Sequence, residues 1–141
     1  MPCVSEEAVQ IIRLMNAAFN AGDYDAMSAF YDPEVEFVDH MPLPDAAQAA
    51  HGPVEIRAVL DAWAEGFTAF EGHVEEYLDL DDFVVCTTRW RFVSREEGIE
   101  LDWKGAEAWQ LRRGKIVWGQ AGFRDKQAAV EAVEQRLHAA R

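Results

Sequence analysis

The chain has 141 residues, of which 50% are hydrophobic and 28% are charged, a balance typical of a folded domain and not of a disordered chain. Its 26 acidic and 13 basic side chains give a net charge of -13, which disfavours nucleic acid and anionic membrane surfaces as partners. No stretch reaches the roughly 18 apolar residues that a membrane span needs. Because the length suits one hydrophobic core and no linker or repeat divides the chain, we expect a single domain over residues 1–141.

The first half of the chain predicts two helices and a strand. Ser5 caps a first helix that ends at Gly22, and Asp23 caps a shorter helix that stops at Asp32-Pro33. Residues 34–40 then alternate in polarity with a period of two, as expected of a strand. The chain therefore opens with helical material before its first strand.

A Pro- and Ala-rich loop over residues 41–51 separates this strand from a third helix. Whether the loop closes over a binding site or lies outside it stays open at this point. Gly52-Pro53 begins the third helix, which gives way to strands after Gly72. Its apolar stripe consists of Val59, Leu60, Trp63 and Phe67.

The second half predicts four strands joined by short hairpin turns, at residues 73–80, 83–94, 99–111 and 115–124. Asp125 caps a closing helix. Helices segregated from an antiparallel sheet define an α+β domain. We expect a curved antiparallel sheet wrapped over three N-terminal helices, with a C-terminal helix and an apolar interior.

Asp39 is the first candidate for chemistry. It shares a strand face with Val35 and Phe37, and apolar surroundings would raise its pKa and make it a usable general base. The alternative is that the strand ends near Val38 and leaves Asp39 in a solvated turn. His40 points to the opposite face in a regular strand.

Glu107 is the second candidate. It shares a face with Trp103 and Trp109, where an acid is costly to bury unless it is neutral or hydrogen-bonded. The alternative is a structural ion pair with Arg89 or Arg91 on the neighbouring strand.

Metal-ligand spacing is missing from the sequence. Asp39, His40, His51 and His73 include no two residues whose spacing fixes a site, so we predict no metal and no cofactor. Cys3 and Cys86 are too few for a disulfide scaffold. The N-terminal residues lack a basic segment followed by an apolar one, which predicts a cytoplasmic protein.

Three diffuse motifs carry a family resemblance over nearly the whole chain. They are Gly-Asp-x-x-Ala from Gly22 with Tyr31 after it, Gly-Pro-x-x-Ile-Arg from Gly52, and Gly-Lys-Ile-Val-x-x-Gln-Ala-x-Phe from Gly114. The chain thereby resembles the nuclear transport factor 2-like (NTF2-like) superfamily, particularly its SnoaL-like and ketosteroid isomerase-like members. The resemblance implies the cone-shaped fold also called cystatin-like.

The same resemblance implies roles for single residues. Tyr31 matches a tyrosine of the isomerase pocket, and Asp39 falls on the position of the catalytic base. Glu107 falls near the acid that stays protonated and donates to the oxyanion. Met15 stands where the isomerases have their second donor, a tyrosine, and this departure favours a non-catalytic role.

We therefore expect the cone to bind a small, largely apolar molecule, with Asp39 as proton acceptor and Glu107 as donor to a carbonyl oxygen. Isomerisation, cyclisation or elimination would each need no cofactor. The alternative is a non-catalytic ligand-binding or dimerisation module, and the resemblance implies a homodimer through the open sheet face that carries Trp118 and Gln120. The expected ligand-binding residues are Met15, Phe19, Tyr31, Phe37, Trp63, Phe67, Trp103 and Trp109.

Overall fold

The computed structural model of the protein describes residues 4–40 and 49–139, with side chains from Glu6 onward. Cys3 and most of the predicted loop lie outside these described residues, and so does the side chain of Ser5. The first helix begins at Val4, one residue before the predicted cap at Ser5. The elements in chain order are α1 (Val4–Asn20), α2 (Tyr24–Ser28), β1 (Tyr31–Asp39), β2 (Ala49–His51), α3 (Gly52–Gly66), β3 (Phe67–Leu80), β4 (Phe83–Ser94), β5 (Glu100–Arg112), β6 (Lys115–Phe123) and α4 (Lys126–Ala139).

A curved six-stranded sheet with the order β2-β1-β6-β5-β4-β3 forms the centre of the fold. The predicted antiparallel meander from β3 to β6 is confirmed. Its last hairpin turns at Arg113-Gly114, where both residues adopt the left-handed backbone of a tight two-residue turn. β1 joins β6 in parallel, so the whole sheet is mixed.

Apolar layers cover both faces of the sheet because side chains alternate along each strand. On β4, Val84, Cys86 and Phe92 pack towards α1, α2 and α3. Phe83 and Val85 point the other way and pack under α4. The α+β fold class is confirmed, and the larger core lies between the first three helices and the sheet. No helix in the described part of the chain is long and apolar enough to cross a membrane.

The second helix and the first strand differ from their predicted bounds. α2 ends at Ser28, and β1 begins at Tyr31, before the predicted stop at Asp32-Pro33. Ile116 N donates to Phe30 O at 2.9 Å, which starts the pairing with β6 earlier than the alternation suggests. A register shift between Tyr31 and Glu36 accommodates Pro33, which has no N–H to donate.

The third helix is also shorter than predicted. It ends at Gly66, and Phe67 already pairs with Ser94 as the first residue of β3. The prediction of Phe67 on the helical stripe is therefore wrong, because pairing with the long β4 strand extends β3 towards the helix. Ala49–His51, predicted as loop, form the short strand β2 against β1.

Two asparagines of α1 hold the edge strand β3. The Asn20 side chain donates to Gly72 O at 2.7 Å and accepts from Gly72 N at 3.0 Å, while Asn16 also donates to Gly72 O at 3.1 Å. An edge strand leaves backbone groups that no further strand can pair. These amides satisfy such groups and fix β3 against α1.

Replacing Asn20 by alanine is expected to lower the free energy of unfolding by about 1–2 kcal/mol. The substitution removes the hydrogen-bond acceptor of Gly72 N and one of the two side-chain donors to Gly72 O. Urea denaturation measures the change. Gln10→Ala, at an exposed position of the same helix, is the matched control and is expected to change stability by less than about 0.5 kcal/mol. Equal effects of the two substitutions would contradict the anchoring role.

Candidate functional site

A cavity of about 60 Å³ lies between α1, α3 and the inner face of the sheet. A water needs about 10–15 Å³ measured this way, so the cavity has room for about four waters. Six of its fourteen lining residues are aromatic. The site in this conformation is therefore small and almost wholly apolar.

Six of the eight predicted ligand-binding residues line this cavity. They come from α1, from α3 and from the strands β1 and β5, so the fold brings together residues that are far apart in sequence. The six are Met15, Phe19, Tyr31, Phe37, Trp63 and Trp109. Burial raises the pKa of the Tyr31 phenol, which stays protonated at neutral pH.

Phe67 and Trp103, the other two predicted ligand-binding residues, do not line the cavity. Phe67 packs against Phe92 with ring centroids 5.2 Å apart, since it begins β3 instead of continuing α3. Trp103 folds back over Gly105, whose missing side chain leaves room for the indole. Both residues support the walls of the core and do not reach the space between them.

Asp39 is buried, with 3% of its surface exposed. β1 continues through Asp39, so the alternative in which the strand ends near Val38 is wrong. Its register partner on β6 is Ala121, which lines the cavity. Asp39 itself is not part of the lining, but it lies close enough to Glu107 to raise the pKa of that carboxyl.

Glu107 reaches the cavity from β5 and has 4% of its surface exposed. The Thr88 hydroxyl donates to Glu107 Oε1 at 2.8 Å. Oε2 has no hydrogen-bond partner within the described residues. One oxygen of the carboxyl is therefore held by the protein, and the other is available to a molecule in the cavity.

The surroundings of Glu107 favour its neutral form. Burial raises its pKa from 4.5 to about 8, and the charge of Asp39 adds to this increase. The Thr88 hydroxyl and the Trp90 indole lower the pKa and offset part of the burial effect. Trp90 Nε1 nevertheless does not reach hydrogen-bonding geometry with any described residue. At neutral pH the Glu107 carboxyl thus mostly carries its proton.

The alternative ion pair of Glu107 with Arg89 or Arg91 is wrong. The register partner of Glu107 is Cys86, while Arg91 lies opposite Asp102. Arg89 and Arg91 are odd-numbered members of β4, and Cys86 and Thr88 are even-numbered, so the arginines point to the other face. Arg91 forms its ion pairs with Glu71 and Glu100 outside the core.

Two of the indole rings lie directly over glycines of the neighbouring strand. A Cβ at Gly72 would lie 2.9 Å from Cζ3 of Trp90, and one at Gly119 would lie 2.4 Å from Cε3 of Trp109. The Trp109 ring stacks on Phe37 at a centroid distance of 5.9 Å and an interplanar angle of 16°. The positions of both rings therefore depend on the absence of a side chain on the neighbouring strand.

Trp90, Thr88 and Asn16 are site residues that the sequence analysis did not single out for this role. Trp90 and Asn16 line the cavity, and Thr88 holds Glu107. The signal for Trp90 and Thr88 lies in the alternation of β4, which puts both on the face of Cys86. The alternation alone does not identify these residues, because only the register between β4 and β5 determines which face of β4 lies on the same side as Glu107.

Metal-binding geometry is missing from the described ranges 4–40 and 49–139, where no three His, Cys, Asp or Glu side chains converge. His40 is exposed and contacts Gln120, with 2.9 Å between Nε2 and Oε1, on the side away from the cavity. The absence of a metal and a cofactor from the chemistry stays a prediction.

Comparison with known proteins places these observations in a family. Residues 12–118 match the family of SnoaL-like domains. A search of curated proteins finds no match to the chain.

Solved structures share the fold. An NTF2-like protein from Burkholderia thailandensis is 25% identical, with a TM-score of 0.74 over 85% of this chain and 89% of that one. TerC, co-crystallised with polyporic acid, is 17% identical, with a TM-score of 0.74 over 81% and 88%. A Catenulispora acidiphila protein of ketosteroid isomerase-like fold, in complex with trimethylamine, is 14% identical, with a TM-score of 0.70 over 78% and 82%.

Proposed function

The chain belongs to the family of SnoaL-like domains, and we propose that its cavity binds a small, largely apolar molecule and moves a proton next to a carbonyl group of that molecule. The observation that carries the proposal is Glu107, a carboxyl buried among aromatic rings with a pKa of about 8. A carboxyl that keeps its proton at neutral pH can donate a hydrogen bond to the oxygen of a ligand.

Asp39, whose register partner Ala121 lines the cavity, is the proton acceptor in this proposal, and it reaches the ligand once the aromatic side chains have moved apart. When it takes the proton from the carbon next to the carbonyl, the electron pair of the broken C–H bond forms a C=C bond, and negative charge develops on oxygen. Glu107 stabilises that charge by donating its proton in a hydrogen bond. Return of the proton from Asp39 to a different carbon completes an isomerisation without any other reactant.

The size of the cavity limits the ligand. About 60 Å³ accepts only a few heavy atoms, whereas sites for drug-sized molecules measure about 300–1,000 Å³. Two of the structural neighbours contain ligands as different as polyporic acid and trimethylamine. For this chain we propose a ketone or phenol of about one ring, whose entry requires the aromatic side chains to move apart.

A second candidate is a binding module without catalysis. The small cavity favours it, as does Met15, which lines the cavity and offers no hydrogen-bond donor. In this case Glu107 would orient a bound ligand, and Asp39 would take no proton from it. Binding without turnover distinguishes this candidate from the enzyme.

A homodimer through the open sheet face is part of the same proposal. α4 already covers part of that face, and Trp118 is buried against Phe83 and beneath the Arg136 guanidinium. Gln120 lies on the same face beyond this contact and bonds to His40. A second copy would therefore have to meet the sheet beside α4.

The enzymatic proposal is tested with 3-cyclohexenone, whose conversion to the conjugated 2-cyclohexenone is followed by ultraviolet absorbance. We expect turnover by the wild-type chain and a loss of about 100-fold in Asp39→Asn, the low end of what a general base contributes. Turnover should also fall above about pH 8, where Glu107 loses its proton.

Asp79→Asn is the matched control, because Asp79 is an exposed aspartate on β3. Its turnover should equal that of the wild type. Unchanged turnover in Asp39→Asn would remove Asp39 as the base. Binding of cyclohexanone without any conversion of 3-cyclohexenone would favour the non-catalytic candidate.

A further inference from the structure

We propose that the indole N–H groups of Trp63 and Trp90 bind an acceptor oxygen of the ligand, so that the cavity selects ketones, quinones or phenolates and rejects amines. This inference rests on the proposed function, since it takes the cavity as the ligand site. It adds a pair of specificity-determining donors and a chemical class of ligand.

The first observation is that both donors are buried and unpaired. Trp63 and Trp90 have 7% and 6% of their surface exposed, and neither Nε1 atom finds a hydrogen-bond partner in residues 4–40 and 49–139. The large majority of buried side-chain polar atoms in proteins are paired. Two such indole N–H groups, on rings whose centroids lie 6.5 Å apart, are therefore unusual and suggest a partner from outside the chain.

The second observation is that both rings line the one cavity that also receives Glu107. Trp63 comes from α3 and Trp90 from β4, and their ring centroids lie 6.5 Å apart at an interplanar angle of 87°. The Trp90 indole is also close enough to Glu107 to lower its pKa. A single small molecule in this space meets both indoles and the carboxyl.

The third observation is that packing holds the rings in place. Trp63 contacts Phe70 and Phe92 edge to face, at centroid distances of 5.7 and 5.9 Å. Trp90 stacks on Phe92 and lies over Gly72, the residue that Asn20 anchors to α1. These contacts keep the indoles from turning to find a partner elsewhere in the core.

The chemistry of the donors determines the class of ligand. An indole N–H only donates, and a neutral carboxyl offers a further donor. Together they match an oxygen that accepts hydrogen bonds, such as a carbonyl or a phenolate. An alkylammonium ion brings only donors and would leave both indoles unpaired.

The test compares cyclohexanone with methylenecyclohexane, in which a carbon replaces the oxygen and the shape is kept. Two-dimensional 1H–15N NMR of the wild-type chain resolves the indole N–H signals, and the variants Trp63→Phe and Trp90→Phe assign them. We expect cyclohexanone, but not methylenecyclohexane, to move both signals downfield. Each variant should bind cyclohexanone about tenfold more weakly than the wild type, which corresponds to the loss of one hydrogen bond. Each variant should bind methylenecyclohexane with the same affinity as the wild type.

Trp118→Phe is the control, because this indole packs under α4 on the opposite face of the sheet, and it should leave both affinities unchanged. Equal binding of the two probes by wild type and variants would overturn the donor pair and leave ligand binding in the cavity intact. If neither probe moves any cavity signal up to its solubility limit, the proposed function fails and the donor pair fails with it. Tighter binding of trimethylamine than of cyclohexanone would also overturn the inference.

Discussion

Replacing Glu107 by glutamine is expected to remove a large part of the pH dependence of stability. Between pH 4.5 and about 8 the folded chain keeps a proton on Glu107, which the unfolded chain has released. Folding therefore takes up a proton in this range, and raising the pH opposes it. The contribution of Glu107 is fully present below about pH 4.5 and is lost as the pH rises through about 8.

The expected size follows from the two pKa values. Each pH unit between them lowers the free energy of unfolding by about 1.4 kcal/mol, and the whole interval by about 5 kcal/mol. Glutamine has the shape of the neutral acid and still accepts from Thr88, so Glu107→Gln should show a much flatter profile. At pH 9 it should be the more stable protein.

Urea denaturation at unit steps from pH 5 to 9 gives the two profiles. The 26 acidic side chains also repel one another more strongly as the pH rises, and the difference between wild type and variant removes that shared contribution. Glu134→Gln, at an exposed position of α4, should run parallel to the wild type. A Glu107→Gln profile that also ran parallel would mean that Glu107 is ionised in the folded protein.

The second large effect is expected at Gly119. A Cβ there would lie 2.4 Å from Cε3 and 2.5 Å from Cζ3 of Trp109, well inside van der Waals contact. Gly119→Ala must therefore displace the Trp109 ring, which stacks on Phe37 and lines the cavity. Such overpacking is expected to lower the free energy of unfolding by about 3 kcal/mol.

Urea denaturation and near-ultraviolet circular dichroism report the stability and the ring environment of this variant. Gly66→Ala is the matched control, since nothing lies within 4 Å of a Cβ at that position. Trp109→Leu should lower the free energy of unfolding of the otherwise wild-type protein. It should lower it by a smaller amount in the Gly119→Ala variant, because the smaller side chain relieves the clash. Full additivity of the two substitutions would contradict direct contact between the ring and the added methyl group.

The sequence predicted the inward faces of the strands well, because alternation alone decides them. Asp39 and Glu107 were placed on apolar faces of their strands, and both are almost fully buried. The hairpin turns likewise follow from local residues such as Arg113-Gly114. Local patterns were sufficient wherever one strand or one turn decides the outcome.

Predictions were wrong where the structure depends on pairing between distant segments. Phe67 continues a helical stripe in sequence, but pairing with Ser94 makes it the first residue of a strand. The proposed partners Arg89 and Arg91 lie on β4, the strand next to that of Glu107, but their side chains point to the other face of the sheet. Only the register, which pairs Glu107 with Cys86, shows this. Register depends on how two strands pair and cannot be inferred from the sequence of one strand alone.

The size of the cavity and the positions of its indole rings could not be predicted either, because both depend on packing between strands that are distant in sequence. Gly72 and Gly119 are ordinary strand residues in the sequence, and only the structure shows Trp90 and Trp109 lying over them. These packings narrow the cone to about 60 Å³ and direct the Trp90 ring towards Glu107. The family resemblance could not provide that detail.

The protonation state of Glu107 is measured most directly by carbon-13 NMR of side-chain carboxyl groups, with Glu107→Gln identifying the signal. We expect the Glu107 signal to have the chemical shift of a neutral acid at pH 7, to titrate near pH 8, and to titrate at higher pH when cyclohexanone is added. A Glu107 signal that titrates near 4.5, with or without cyclohexanone, would contradict the proposal that a neutral carboxyl in the cavity binds the oxygen of the ligand.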